Sequence, residues 1–385
     1  MIRRRTLFIV LVAILLTPLW MYLVWLLTPR TRLVFAIIDK TVLNHKTQEH
    51  VSLTWILNNE RLTKTPTQKY KAGNDYFGFF PQEDKTFKLK GLERFTSEQL
   101  DKLSNDADAT YFTDTYGVYK NEWYDQKNVN EPSEMIYGGM SAQDIEFLQD
   151  MKAKHKLIIA EFNTMESPTT EDNRSKFEYL FGLHWSGWSA RYFESLDSVK
   201  NKEIPKWLTR QYMAQHYKKW PFHKAGIAFV SNSGQVVVLE DGTHLTDAMP
   251  HIVTAGYGQK VLSLPDSVKY PYWFDIITPE LAVNHVVSRF NISVNANGKR
   301  ELDQFNIPAT FPAVIMHKDS DYRFYYFSGD FCDNPVGMGS SYFKGVGAFK
   351  WLFYNGDDDS ERGSFFWNFY RPMMTNILHQ NIIKR

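Results

Sequence analysis

The sequence predicts an α/β protein, with an N-terminal transmembrane helix ahead of a parallel sheet that carries β-hairpin insertions. Three observations lead there. Residues 6–27, "TLFIVLVAILLTPLWMYLVWLL", run without a charge. Three short apolar runs beyond them, each ending in polar residues, alternate with helical patterns. Two later stretches turn around Asn232-Ser233-Gly234 and Asp319-Ser320-Asp321 between β-rich runs, which are hairpin signals.

The apolar run comes first. At ~1.5 Å per residue its length matches a bilayer core of ~30 Å. Membrane helices tolerate a proline such as Pro18, and Trp20, Tyr22 and Trp25 resemble an interfacial belt. Arg3, Arg4 and Arg5 precede it, which favours a cytoplasmic N-terminus. A cleaved signal peptide would have a shorter apolar region and a small-residue cleavage site. The expectation is therefore a signal anchor over 1–32, single-pass in the inner membrane, and a periplasmic α/β domain over 33–385.

Leu33 to Ile38 is a continuous apolar run, as in a strand buried on both faces, and it ends at Asp39-Lys40-Thr41. Asn44 is placed to cap the helix within "HKTQEHVSLTWILNNERL". Thr96 with Gln99 predicts the next helix start, and "ATYFTDTYG" reads as a strand ending at Asp114, Thr115 and Tyr116. Ser141 and Asp144 open a helix striped by Ile145, Leu148 and Met151. The strand Leu157 to Ala160 follows and stops at Glu161, Phe162 and Asn163. Ser167-Pro168-Thr169 reads as the start of another helix, with Glu171 and Asp172 complementing its dipole.

Ligands of open α/β sheets bind outside the carboxyl ends of the strands. Asp39, Asp114, Tyr116, Glu161 and Asn163 are thereby expected to converge on one crevice. Trp185, Arg191 and Asp330 join them as candidate ligand contacts, Asp330 from the strand near "FYYFSGD". The aromatic content of 16% supplies cores and faces on which sugars stack.

Composition excludes several classes. Lys and Arg number 44 against 43 Asp and Glu, so no basic field for nucleic acid exists. One cysteine, Cys332, rules out internal disulfides and CxxC sites. Histidines are scattered without HxH or HExxH, "NGDDDSERG" lacks calcium-loop spacing, and no GxxxxGK[ST] occurs. No metal and no cofactor are expected.

"FAIIDKTV", "IYGGMSAQDIEFLQDMKAKHKLIIAEFN" and "FYYFSGD" together resemble the class I glutamine amidotransferase-like domain, a flavodoxin-like fold. The likeness covers the N-terminal half and one late strand. As a whole the chain is also similar to membrane-anchored proteins of Bacteroidetes. The family's catalytic cysteine belongs at the strand-turn-helix elbow, where this chain has Glu161-Phe162-Asn163-Thr164-Met165. Cys332 sits beside Asp333, which disfavours a thiolate. Thr164 or Ser167 would need a positioned base, and His184 is the nearest downstream histidine. The resemblance thus implies a degenerate scaffold.

The function expected is a membrane-anchored binding or assembly protein in cell-surface polysaccharide biosynthesis or export. Its expected partners are the membrane, a glycan or a membrane assembly complex. The alternative is a glycan hydrolase that pairs two of Asp114, Glu122, Glu161, Asp330 and Asp333, with Trp123, Trp185 or Trp188 stacking on sugar.

Overall fold

The computed structural model describes residues 12–44, 49–125, 131–358 and 360–380. Strand β1 (Phe35–Asp39) leads into helix α2 (Val51–Asn59), which helix α1 (Thr17–Leu27) precedes in the chain. Then come β2 (Phe77–Pro81), β3 (Phe87–Leu89), α3 (Ser97–Asp106), β4 (Ala109–Asp114), α4 (Ala142–Ala153), β5 (Leu157–Glu161) and α5 (Glu171–Phe181). The second half contributes β6 (Leu183–Phe193), α6 (Lys206–Gln215), β7 (Gly226–Ser231), β8 (Val236–Glu240), β9 (His251–Thr254), β10 (Ser267–Lys269) and β11 (Trp273–Pro279). Strands β12 (Asn284–Asn291), β13 (Thr310–His317) and β14 (Arg323–Phe327), then α7 (Arg371–Leu378), complete the set used below.

Ten strands form one mixed sheet in the order β10-β9-β12-β13-β14-β5-β4-β1-β2-β3. Its centre, β14-β5-β4-β1-β2, is parallel throughout. Numbered along the chain, those five strands run 2-1-3-4-5 across the sheet, so the order reverses between the first and the third. The runs at Leu33 to Ile38, Tyr111 to Phe112 and Leu157 to Ala160 are parallel neighbours, as expected. Both predicted hairpins form, β7 with β8 and β13 with β14. A second, antiparallel sheet has the order β8-β7-β6-β11. The segment around Trp185 and Arg191 is its longest strand, of 11 residues.

Side chains alternate along a strand, and here both faces are apolar. Phe35, Ile37, Leu157, Ile159 and Phe327 meet Leu53, Trp55 and Ile56 of α2 and Met373, Met374 and Ile377 of α7. Ala36, Ile38, Ile158, Ala160, Phe324 and Tyr326 meet Leu100, Ile145, Leu148, Phe177 and Phe181 of α3 to α5. Two-sided burial explains the unbroken apolar runs in the sequence.

Local capping chemistry matches the sequence at α3 and α4, where Thr96 with Gln99 and Ser141 with Asp144 form reciprocal capping boxes. Two expected starts move. Helix α2 begins at Val51 with His50 at its cap, and residues 45–48 lie outside the described residues. Helix α5 begins at Glu171, where the Thr170 hydroxyl accepts from the Asn173 N–H. Pro168 lies ahead of it in a cis peptide with Ser167.

The membrane assignment is corrected. Among the described residues no helix is long and apolar enough to cross a membrane. Helix α1 has 11 residues, about 16 Å at ~1.5 Å per residue against ~30 Å of hydrocarbon. Pro18 occupies its first turn, after a one-residue break at Leu16 that separates it from helical residues 12–15. The C-terminal end of α1 docks on the domain. Trp25 is buried, donates to the Asn58 carbonyl at 2.9 Å, and lies under the Arg61 guanidinium. Arg61 also donates to the Thr28 and Leu26 carbonyls at 3.1 Å each. The signal-anchor, single-pass and periplasmic assignments therefore lose their basis; residues 1–11 of the expected span lie outside the described residues.

Lys40, directly after β1, is buried and donates to Asp144 Oδ2 at 2.6 Å and the Gly139 carbonyl at 2.8 Å. The pair ties the end of β1 to the start of α4. Removing one partner of a buried pair strands the other charge, so Asp144→Ala should cost about 3–5 kcal/mol in chemical denaturation. Lys40→Met with Asp144→Leu should cost distinctly less. Trp25→Ala should release α1, seen as faster limited proteolysis near Thr28 with an unchanged denaturation midpoint for the domain; a midpoint that drops with it would place α1 in the cooperative core.

Candidate functional site

Parallel pairing puts the ends of β1, β4 and β5 on one edge. Asp39 and Asp114 are register partners, a match made by a bulge between Ile38 and Asp39. Thr41 joins them: its N–H donates to Asp39 Oδ1 at 3.2 Å and its hydroxyl to Asp114 Oδ1 at 2.8 Å. Asp114 also accepts from the Tyr116 N–H at 2.6 Å and from Asn163 Nδ2 at 3.2 Å. Asn163 holds a left-handed turn (φ 67°) after β5, a conformation asparagine tolerates. Burial and the charge of Asp39 push the Asp114 carboxyl up to about 7 against these donors. Tyr116 is 39% exposed and leans on Tyr119 at 4.9 Å.

His50 braces Asp39 from α2. Its Nδ1 lies 2.6 Å from Asp39 Oδ2 and its Nε2 2.8 Å from the Ala72 carbonyl. A carbonyl only accepts, so Nε2 is the donor there.

Glu161 sits one layer inward and is fully buried. Tyr111 donates to Oε2 at 2.5 Å and the Cys332 N–H to Oε1 at 3.2 Å. Burial, then the charge of Asp330, push its carboxyl well above the ordinary range. Cys332 is buried too, its sulfur accepting from Tyr370 at 3.1 Å. Burial and neighbouring Glu161 push the thiol up. A thiolate nucleophile is unobtainable there.

A second acidic group borders the first. One carboxyl oxygen each of Glu49, Asp330 and Asp333 lie within 4.8 Å of one another. Such spacing can hold a cation, but Arg362 already fills that role, at 2.7 Å from Asp333 and 3.7 Å from Asp330. It also donates to the Asp330 carbonyl at 2.8 Å and covers the Tyr272 ring at 3.6 Å. Burial works against the Arg362 charge, and Asp333 and Asp330 outweigh it and push its pKa up. Burial, then Asp333 and Asp330, push the Glu49 carboxyl well up.

Of the residues singled out from sequence, Tyr116 and Asn163 hydrogen-bond Asp114 directly, and Thr41 links Asp39 to it. Asp330 joins by feeling the charge of Asp114. Glu161 shares the edge but faces inward, and neither Arg174 nor Arg191 pairs with it. Arg174 covers the Trp185 ring, and Arg191 pairs with Glu203 at 2.5 Å. Trp185, Trp188 and Trp123 are core residues. Glu49, His50 and Arg362 were missed. Arg362 reaches Asp330 across 32 residues, and no local pattern signals that. A cavity of about 360 Å³ also exists, lined by residues of β9, β12 and β13 rather than by this edge.

No family model matches the chain, and no curated protein does. Solved structures do match. A protein described as ThuA-like from Parabacteroides merdae ATCC 43184 is 10% identical over 78% of this chain and 79% of its own, with a TM-score of 0.36. A cytoplasmic protein from Salmonella typhimurium LT2 is 9% identical over 91% and 99%, with a TM-score of 0.34. A beta-galactosidase from Bacillus circulans sp. alkalophilus is 10% identical over 63% of this chain, with a TM-score of 0.28. The chain spans only 24% of that enzyme's length. Similarity this low decides neither fold nor activity.

Glu161 provides a test of the site's electrostatics. Its folded pKa is raised, so the folded chain keeps a proton that the unfolded chain releases above about pH 4.3. Stability from this group is full below that pH and is lost as pH rises toward the folded value. Glu161→Gln cannot titrate. Its stability relative to wild type should therefore climb with pH, by at most about 1.4 kcal/mol per pH unit, in urea melts between about pH 5 and 7.

Proposed function

We propose that this protein binds a carbohydrate at the edge formed by Asp39, Asp114, Tyr116 and Asn163, on a degenerate amidotransferase-like scaffold. The observation that carries this reading is the position of Asp39 and Asp114. They end the first and third parallel strands, between which the 2-1-3-4-5 order reverses. In flavodoxin-like sheets that reversal is the ligand site. The chemistry suits sugar hydroxyls, which donate to carboxylates, while the exposed ring of Tyr116 can cover the apolar face of a sugar.

Binding fits better than turnover by a nucleophile. Thr164 is buried and its hydroxyl donates back to the Glu161 carbonyl at 2.6 Å. Cys332 lies behind Glu161 with its thiol protonated. A role in handling polysaccharide is the natural extension. Glycan hydrolysis is the second reading, favoured by burial, which pushes the carboxyls of Asp114 up to about 7 and Glu166 up to about 8 so that they can hold a proton near neutrality.

A glycan array followed by calorimetry tests both. A charge-assisted hydrogen bond contributes about 1.5–3 kcal/mol, so Asp114→Asn should weaken the sugar by about 10- to 100-fold, and Tyr116→Ala should weaken it as well. Cleavage of the bound glycan, lost in Asp114→Asn, would select hydrolysis. Failure of every glycan to bind would sink both readings.

A further inference from the structure

We infer that Ser267, His251 and Asp247 form a second site, a hydrogen-bonded nucleophile, base and orienting acid that hydrolyses short-chain carboxylic esters. The site lies at the β10 end of the large sheet, away from Asp39 and Asp114, and does not depend on what the crevice binds.

Strand register brings the three residues together. In the antiparallel pair β9 and β10, His251 lies opposite Lys269 and Val253 opposite Ser267. Side chains two apart share a face, so Ser267 is the diagonal neighbour of His251, within reach across the strands. The Ser267 hydroxyl is 3.3 Å from His251 Nδ1, and His251 Nε2 is 3.0 Å from Asp247 Oδ2. A carboxylate only accepts, so Nε2 donates to Asp247, and Nδ1 of the neutral ring accepts from Ser267. The Met249 N–H donates to Asp247 Oδ1 at 3.1 Å, which holds the carboxylate that holds the ring. A nucleophile in contact with a base that a third group orients is the arrangement that activates a serine. His251 is half-buried and Ser267 exposed, so the base is fixed while the hydroxyl stays open to substrate.

Room and donors lie beside the hydroxyl. Val253, the register partner of Ser267, lines the cavity of about 360 Å³ together with Val286, Val287, Arg289, Asn291 and Thr310. That volume is near the lower bound of ~300 Å³ for ligand pockets, and its valines suit a short acyl chain. On the other side of β9, Arg289 is the register partner of Val253 and Asn291 that of His251. Ser267 and Arg289 therefore flank one strand, ~10 Å apart at the backbone. An ester carbonyl and the long Arg289 side chain together span that gap. The Thr310 hydroxyl donates to Asn291 Oδ1 at 3.1 Å, which leaves the Nδ2 hydrogens for a substrate oxygen. Arg289 is exposed and has no ion-pair partner among the described residues.

The chemistry balances without a cofactor. Ser267 Oγ bonds to the ester carbonyl carbon as its proton passes to His251 Nδ1. The carbonyl electron pair moves to oxygen, where Arg289 and Asn291 meet the charge. Collapse breaks the bond to the alcohol oxygen, which leaves with the proton from Nδ1. Water then attacks the acyl-serine, gives its proton to Nδ1, and the acid departs as Ser267 regains that proton.

Hydrolysis of p-nitrophenyl acetate and butyrate by the full chain, with fluorophosphonate labelling read by peptide mass spectrometry, tests this. Wild type should turn over and carry the label on Ser267. Ser267→Ala should lose the label, and His251→Ala should slow turnover by about 10²- to 10⁴-fold. Asp247 is a positioning residue, so Asp247→Asn should lower kcat with KM unchanged, and Asp247→Glu should restore part of it. All three side chains lie at the surface, and unchanged urea midpoints should show that the variants fold. Absence of turnover in wild type, turnover unchanged in Ser267→Ala, or a label that persists in that variant would overturn the inference.

Discussion

Like-charge crowding at one sheet edge is the constraint on which this structure turns. Five parallel strands bring their ends together, and Asp39, Asp114, Glu161 and Asp330 lie there, all buried. A buried carboxylate needs a partner or a proton. The chain meets that need differently at each residue. His50 hydrogen-bonds Asp39, and Arg362 sits between Asp330 and Asp333. Asp114 collects donors from Thr41, Tyr116 and Asn163. Glu161 keeps its own proton.

Those solutions recruit distant segments. His50 comes with α2, and Arg362 and Tyr370, the latter behind Cys332, come with the helical segments Arg362–Phe365 and Phe366–Tyr370 that run into α7. The elements that cover one face of the sheet thus also supply the groups that make its acidic edge tolerable. Packing and electrostatics are coupled for that reason. The C-terminal helices could not move without uncovering Leu157 and Phe327 and leaving Asp330 and Asp333 without Arg362.

The same constraint bears on chemistry. An elbow after β5 is built, with Asn163 left-handed and Thr164 turned back on the Glu161 carbonyl. Its side chains serve Asp114 and the turn itself. The edge is consequently rich in acceptors and proton-holding acids and poor in nucleophiles.

Much of the sheet was legible in the sequence by itself. Unbroken apolar runs announce strands buried on both faces, Thr96 with Gln99 and Ser141 with Asp144 announce helix starts, and strand-end acids announce an edge. These are local signals, because side-chain alternation and capping act within a few residues. Hydrophobicity alone read a membrane span into residues 6–27, and among the described residues no helix is long and apolar enough for one. Only Trp25 of α1 is buried, and its contacts with Asn58 and Arg61 dock the C-terminal end of the helix on the domain. Tertiary structure alone decided that Trp185 and Trp188 are core, that Arg191 serves Glu203, and that Glu49, His50 and Arg362 complete the edge. Arg362 meets Asp333 and Asp330 across 29 and 32 residues, a pairing that depends on where whole elements pack and that no spacing along the chain encodes.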